Sequence, residues 1–331
     1  MSQPLFRVVI TDFLDDSTIE ADALAGLARV ETLLAQSEFD LIDTISDASA
    51  LIVYHDIARL SDAALATADR CVGIVRAGVG FNNIDIEAAA ARGIVVCNVP
   101  DYGTEDVADH ALMLLLALAR RLLPCDAAIR AGGWDYSRAR PAPRMRDKTL
   151  GLVGCGRIGS ATALRAKAMG LDILFHDPLA APGLEKALGI RRAETLEELL
   201  RTSDFVSLHC YLDPSTYHLI DGKALAAMKP GALLVNTARG PVVDQEALIA
   251  ALDSGHLGGA ALDVVEREPL DDDRLRRHPA VILTPHCAFY TREGFLEMRH
   301  KAAEEVRRLL LGQRPRCPVN LELITTRRSP V

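Results

Sequence analysis

Leu150-Gly-Leu-Val-Gly154-Cys-Gly156-Arg-Ile-Gly159, carried on through the Ala- and Leu-rich run Ser160 to Gly170 and closed by Leu171-Asp-Ile-Leu-Phe-His176-Asp177-Pro178, decides the fold. It reads as strand, tight glycine turn, helix, strand and acid, the order a dinucleotide requires. Gly154 permits the turn, Gly156 lets the backbone approach a pyrophosphate, and Gly159 lets the helix lie close to the strand. The free N–H groups and positive end of the helix then face the phosphates. Asp177 ends the second strand, where a carboxylate can accept hydrogen bonds from both ribose hydroxyls. That carboxylate would repel a 2′-phosphate, and no Arg or Lys stands between Pro178 and Leu184, so the stretch predicts NAD over NADP. The plainer readings are a Gly-rich turn in some other α/β protein and a capping Asp before Pro178. Strand, helix and acid all fall at fingerprint spacing, which weighs against both.

Around this stretch, 331 residues suggest two domains, and a hydrophobic content of 49% supports sizeable cores. A formal charge of −8 argues against a general nucleic-acid surface. The start, Met1-Ser-Gln-Pro-Leu-Phe-Arg-Val-Val-Ile10, lacks the features of a signal peptide. The longest apolar run, Ala111 to Ala119, is far short of a membrane span. Seven cysteines, at 71, 97, 125, 155, 210, 287 and 317, form no C-x-x-C pair and no zinc-type cluster. A cytoplasmic protein without metal, nucleic-acid or membrane partner is expected.

Upstream of the fingerprint, strands are predicted at Phe6 to Ile10, Ala50 to Tyr54, Val72 to Arg76 and Ile94 to Val96. A helix-like segment follows the acidic stretch Asp12 to Asp22. Ser61 to Ala68 reads as a helix capped by Ser61, and Ile86 to Arg92 as another. This alternation indicates a parallel sheet with no dinucleotide glycines. A long helix starts at Thr104, with Glu105 and Asp106 in its first turn, and runs to about Arg121 before Pro124. Its segment Ala111 to Ala119 is apolar on every side and is expected to be buried all round, which suits packing between domains or subunits. Arg138 to Arg146 reads as a loop.

Downstream, helices are predicted at Ala193 to Leu200, Gly222 to Met228, Asp244 to Ser254 and Arg292 to Leu311. Strands are predicted at Phe205 to His209, Gly231 to Asn236, Gly259 to Val264 and Val281 to Thr284. The terminal Thr325 to Val331 reads as frayed.

Three polar side chains follow predicted strand ends in this half: Arg239, Glu268 and His286. Ligands of open α/β sheets bind outside the carboxyl ends of the strands, so the three should converge on the nicotinamide. An Arg fork can hold a carboxylate and polarise the neighbouring carbonyl. A His can exchange the hydroxyl proton, and a carboxylate bonded to it fixes its tautomer. Singly, each also reads as a surface charge, a turn residue or part of a solvated acidic loop, and spacing alone leaves the choice open.

The chain resembles the D-isomer-specific 2-hydroxyacid dehydrogenases along nearly its whole length. The motifs are Arg76-Ala-Gly-Val-Gly80, the glycine fingerprint, His176-Asp-Pro178, Asn236-Thr-Ala-Arg-Gly240, Ala261-Leu-Asp-Val-Val-Glu-Arg-Glu-Pro269 and Thr284-Pro-His286. The resemblance implies that Arg239 binds substrate, Glu268 orients the acid/base and His286 is the acid/base. It gives cofactor contacts to Gly154, Gly156, Arg157, Ile158, Gly159, Asp177, Cys210, Tyr211, Leu212, Thr237, Ala238, Asp263 and His286. Backbone N–H groups of Gly78, Val79 and Gly80 would receive the substrate carboxylate, with Arg76, Tyr54 and Phe289 lining the substrate. The implied fold is α/β, with two doubly wound parallel-sheet domains. Residues 1–103 and 291–331 would form a flavodoxin-like substrate domain, and residues 104–290 an inserted Rossmann domain for NAD.

Within the family, Arg165-Ala-Lys-Ala-Met169, Ser207-Leu-His-Cys210 and Glu297-Met-Arg299 are similar to the branch holding the C-terminal-binding corepressors. Phe289 stands where that branch has Trp, Val79 stands where a Ser or Thr is usual, and the corepressors' long tail is missing. The expected protein is therefore a homodimeric NAD-dependent dehydrogenase interconverting a 2-keto acid and a D-2-hydroxy acid. Alternatives are an NAD(H)-responsive binding scaffold and a phosphoglycerate dehydrogenase, which would want more basic residues and a regulatory extension. The substrate tail is expected to be apolar or aromatic, against Tyr54, His55, Phe289, Tyr290 and Met298.

Overall fold

Apolar runs become strands at β1 (Phe6–Ile10), β2 (Ala28–Thr32), β3 (Ala50–Val53), β4 (Gly73–Arg76) and β5 (Val95–Asn98). The computed structural model describes residues 5–140 and 142–329. Met1 to Pro4 of the start read as lacking a leader, Pro141 of the expected loop, and Pro330 and Val331 of the segment read as frayed lie outside the described residues. The chain divides into two units, one of residues up to Gly103 with those from Thr291 onward, the other Thr104–Tyr290.

The first unit holds a five-stranded parallel sheet in the order β2-β1-β3-β4-β5. Its core includes Val9, Leu51, Val53, Ile74 and Val96, each with no exposed surface. Ser61 caps a short helix Asp62–Leu65 by accepting from Ala63 N at 3.3 Å. The C-terminal helix Arg292–Leu310 returns onto β3 and β4. A Cβ on Gly73 would sit 2.6 Å from Leu309 Cδ1, so a side chain there would force Leu309 to shift where this helix crosses. Arg299 pins the same helix to Thr18–Ala23. Its Nε and Nη2 donate to Glu20 at 2.8 and 2.7 Å, and Nη2 also donates to the Asp16 carbonyl at 2.7 Å.

The second unit adds β6 (Thr149–Val153), β7 (Asp172–His176), β8 (Arg191–Arg192), β9 (Phe205–Leu208), β10 (Leu233–Asn236), β11 (Gly259–Leu262) and β12 (Val281–Leu283). All are parallel, in the order β12-β11-β10-β9-β6-β7-β8. The order reverses at β6, which places the glycine turn at the topological switch point. The helix Thr104–Ala119 packs Ala111, Leu112, Leu114 and Leu115 against this sheet and the helix Arg157–Ala168. It is not buried all round, however: Met113 is 49% exposed, and Leu116 and Ala117, one turn on, are only half-buried. The helix also stops earlier than expected, and a second helix, Leu122–Arg130, follows. No helix among the described residues is long and apolar enough to cross a membrane.

Candidate active site

The glycines after β6 divide by what constrains them. Gly154 has φ of +91°, and a Cβ there would meet Cys210 N at 2.6 Å. A Cβ on Gly159 would lie 2.4 Å from the Gly154 carbonyl oxygen. Both are demanded by the protein's own packing. Gly156 is different: its φ is −74° and a Cβ would meet nothing within 4 Å. Space and an approachable backbone are left at the N-terminus of the helix Arg157–Ala168, whose N-cap, Gly156, has no side chain to cap the first N–H groups.

Asp177 stands beside this turn. Its Oδ2 accepts from Cys155 N at 2.8 Å and its Oδ1 from Leu179 N at 2.9 Å, so the carboxylate is fixed while each oxygen keeps a lone pair. The sequence reading missed Arg192, on the neighbouring strand β8. It donates to the carbonyls of Asp177 and Ala181 at 3.4 and 2.9 Å and to Glu185 at 3.2 Å, and its guanidinium lies over Phe175 at 4.7 Å. Its donors are spent on the loop, which it staples. Opposite, the loop after β9 carries Cys210, Tyr211 and Leu212. Burial pushes the Cys210 thiol up to about 11, and Tyr211 is 60% exposed.

After β10, Ala238 N donates to Asn236 Oδ1 at 3.0 Å, and Asn236 Nδ2 donates to the Arg239 carbonyl at 2.9 Å. Asn236 thereby shapes the turn that presents Thr237 and Arg239. The Thr237 hydroxyl is buried without a hydrogen-bond partner among the described residues, and a bound group would satisfy it. This hydroxyl, the open face of Gly156 and the uncapped helix together fit a dinucleotide.

Beyond Thr237, a Cβ on Gly240 would lie 1.7 Å from the Val265 carbonyl oxygen, so glycine brings the Arg239 turn against the loop that bears Glu268. His286 Nδ1 and Glu268 Oε2 are 2.8 Å apart, and Glu268 Oε1 accepts from Val265 N at 3.2 Å. Burial raises the Glu268 carboxyl. The hydrogen bond and charge of His286, the Val265 N–H and the Arg239 charge outweigh it and hold the carboxyl below its usual range. The pair therefore carries a carboxylate at neutral pH, and it leaves Nε2 of His286 clear of Glu268.

The turn carrying His286 is tied to Asp263, which is 2% exposed. Asp263 accepts from Thr284 Oγ1 at 2.6 Å, Cys287 N at 2.9 Å and Ala288 N at 3.0 Å, and its carbonyl accepts from His286 N at 2.8 Å. His110, from the long helix, lies 3.1 Å from Thr284 Oγ1. Thr284 appeared in the sequence only as a strand end and the first residue of the Thr284-Pro-His286 motif, with no role of its own, and His110 was not singled out. The only available signal was a polar residue at the edge of an apolar helical run. Phe289 stands edge-on to His286, with ring centres 6.4 Å apart, and Tyr290 is 57% exposed.

In the first unit, the loop after β4 holds the carboxylate-receiving candidates. Gly78 has φ of +151°, and the Arg76 guanidinium folds back over it, donating to the Ala77 carbonyl at 2.8 Å. Asn98 Nδ2 donates to the Val79 carbonyl at 2.7 Å, and Val99 N to that of Gly78 at 3.0 Å, so the loop through Gly80 is held by β5.

Two wall residues need correction. Tyr54 and Met298 are each 1% exposed and belong to the core. Buried Asp12 accepts from Tyr54 N at 2.8 Å and Asp56 N at 2.8 Å, turning the chain so that Tyr54 points inward while His55 stays at the surface. The aromatic faces at the ends of β1 and β3 are instead Phe13, 4.5 Å from His55 and 6.0 Å from Phe295 between ring centres.

Residues 112–288 match the family model for the NAD-binding domain of D-isomer specific 2-hydroxyacid dehydrogenases. D-3-phosphoglycerate dehydrogenase of Synechocystis sp. is 36% identical over 96% of this chain, which spans 57% of that relative's length. A Thermus thermophilus protein of solved structure is 37% identical, with a TM-score of 0.85 covering 95% of this chain and 100% of its own. An NADPH-dependent glyoxylate/hydroxypyruvate reductase of Sinorhizobium meliloti, solved with NADP and malonate, is 29% identical, with a TM-score of 0.87 covering 98% and 100%. The glycine turn at the switch point, the fixed acid after β7 and this match over more than half the chain lead to one statement: the chain belongs to the D-isomer specific 2-hydroxyacid dehydrogenase family.

Proposed function

We propose that the chain is an NAD-dependent dehydrogenase interconverting a 2-keto acid and a D-2-hydroxy acid. The observation that carries this reading is the His286–Glu268 pair, 2.8 Å apart, at the carboxyl end of the sheet that bears the fingerprint. Gly156, the first turn of the helix Arg157–Ala168, Asp177 and Thr237 would hold NAD, which when bound supplies or accepts the hydride. His286 does the proton work at Nε2, giving a proton to the carbonyl oxygen in reduction and taking it from the hydroxyl in oxidation. Glu268, already ionised, stabilises the imidazolium. Arg239 forks the substrate carboxylate and polarises the carbonyl.

His286→Ala and Arg239→Ala should each lower turnover by roughly 10²–10⁴-fold while NADH still binds. Near-full activity in either variant removes that residue from the mechanism.

The acid should carry an apolar or aryl tail. Phe289, edge-on to His286, offers a face for it, whereas a phosphate would want a pair of further cations. The test is a panel of pyruvate, glyoxylate, 4-methylthio-2-oxobutyrate, phenylpyruvate and 3-phosphohydroxypyruvate with NADH. The apolar acids should lead by about 10–200-fold in kcat/KM. If the phosphorylated acid wins, the phosphoglycerate reading suggested by the Synechocystis relative takes first place. Tight NADH binding without turnover of any acid would favour the corepressor-like scaffold. None of the seven cysteines is in a disulfide, which accords with a reducing compartment such as the cytoplasm.

A further inference from the structure

The bonds around the His286 turn have a fixed direction. The Thr284 hydroxyl has a single proton, and it goes to Asp263 Oδ1 at 2.6 Å. In the 3.1 Å contact with Thr284 Oγ1, His110 Nε2 must therefore be the donor. Asp263, oriented by that hydroxyl, accepts the backbone N–H groups of Cys287 and Ala288 on its carboxylate and that of His286 on its carbonyl. His286 itself sits at φ of +51°, a conformation that a residue with a side chain keeps only where its surroundings over-determine it. The donors and acceptors that over-determine it run back through Asp263 and Thr284 to a ring 15% exposed on the long helix.

We propose that His110 is a positioning residue for the acid/base: acting through Thr284 and Asp263, it fixes the turn on which His286 stands. The proposal rests on the reading of His286 as the acid/base. His110 touches neither His286 nor Glu268. Its action is to keep the Thr284 hydroxyl aimed at Asp263 Oδ1, which its Nε2 also approaches at 3.5 Å, and so to hold the carboxylate against the two N–H groups it aligns. A reacting group displaced by about 1 Å can cost 10²-fold in rate, so a loss at this distance should appear in kcat.

The test compares His110→Leu, His110→Gln, Thr284→Val and the His110→Leu/Thr284→Val double variant for kcat, KM, NADH affinity and Tm. His110→Leu and Thr284→Val should each lower kcat about 10–100-fold with KM within about threefold. The Gln amide can donate from near the Nε2 position, so His110→Gln should recover kcat to within about threefold of wild type. Because both residues act in one chain, the double variant should be no worse than about the worse single one. The proposal is overturned if Thr284→Val or His110→Leu keeps kcat within about twofold, if their losses multiply, or if only Tm falls. Thr284→Val is close to isosteric and decides alone should His110→Leu fail to fold. His286→Ala separates the two readings: if it stays active, the acid/base assignment fails. If it is inactive while Thr284→Val turns over normally, only the positioning role of His110 falls.

Discussion

Both oxygens of Asp177 are held by backbone N–H groups, at 2.8 and 2.9 Å, so the carboxylate cannot swing aside for a 2′-phosphate. Arg192 brings a positive charge to the same loop, but its N–H groups are spent on carbonyls and Glu185. Asp177→Ala should therefore raise the NADPH-to-NADH ratio of kcat/KM by about tenfold or more. A wild-type protein that uses NADPH as readily as NADH would end this account. A second residue behind the fingerprint gives a pH signature. His209 lies against Gly154 and Gly159, with Nε2 2.9 Å from the buried Ser207 hydroxyl, and burial pushes its imidazole down from 6.5 to about 4. A depressed histidine favours folding only while neutral. Its contribution is complete above 6.5 and is lost as pH falls toward 4. In urea unfolding, wild type should lose about 1–2 kcal/mol more than His209→Gln between about pH 7 and pH 5. Parallel pH profiles for the two proteins would show that His209 is not the titrating group.

Among the elements, the helices Thr18–Ala23 and Arg292–Leu310 are joined by an ion pair with side chains 0% and 7% exposed, Glu20 and Arg299. Removing one partner strands the other charge without solvent. Arg299→Leu should cost about 3–5 kcal/mol, and adding Glu20→Leu should restore part of it. A loss below about 1 kcal/mol in chemical denaturation would mean that water reaches the site. The C-terminal helix itself was readable from sequence, because its apolar positions recur at helical spacing. The edge strand β2, Ala-Arg-Val-Glu-Thr, was not: it pairs on one side only and carries charges at alternate positions. Pro124 was read as the end of a helix, but it stands third in the next one, in the first turn where its missing N–H costs nothing. The break comes just before, at Arg121, with φ of +53°. Glu268 and His286 were marked by strand ends, while their partnership came from the family resemblance. His110 was not, since its partner Thr284 lies 174 residues away and no local pattern joins them. Tyr54 was misplaced because alternation along β3 says nothing about the turn that buried Asp12 imposes after it.

At the scale of the molecule, the helix expected to be buried all round is left partly open by the single chain. Met113 is exposed on that helix, Leu122, Leu123 and Ile129 on the next, and Trp134 and Tyr136 are 90% and 94% exposed just after. Apolar side chains concentrated within 24 residues of one unit are more than scattered surface hydrophobes. Two nearly bare aromatic rings are the kind of residue that anchors interfaces. A second copy of the chain would cover this segment with the same segment, since a two-fold contact joins like surfaces. The protein should therefore be a homodimer, and light scattering at micromolar concentration should give twice the 35.8 kDa of the chain. Leu123→Glu, at a half-exposed position among these side chains, places a charge where burial would leave it unpaired and should shift the mass toward monomer. Trp134→Ala should weaken association by about 2 kcal/mol or more if the ring is an anchor. A wild-type monomer, or a dimer indifferent to both substitutions, would move the interface elsewhere and leave these exposed side chains without a partner.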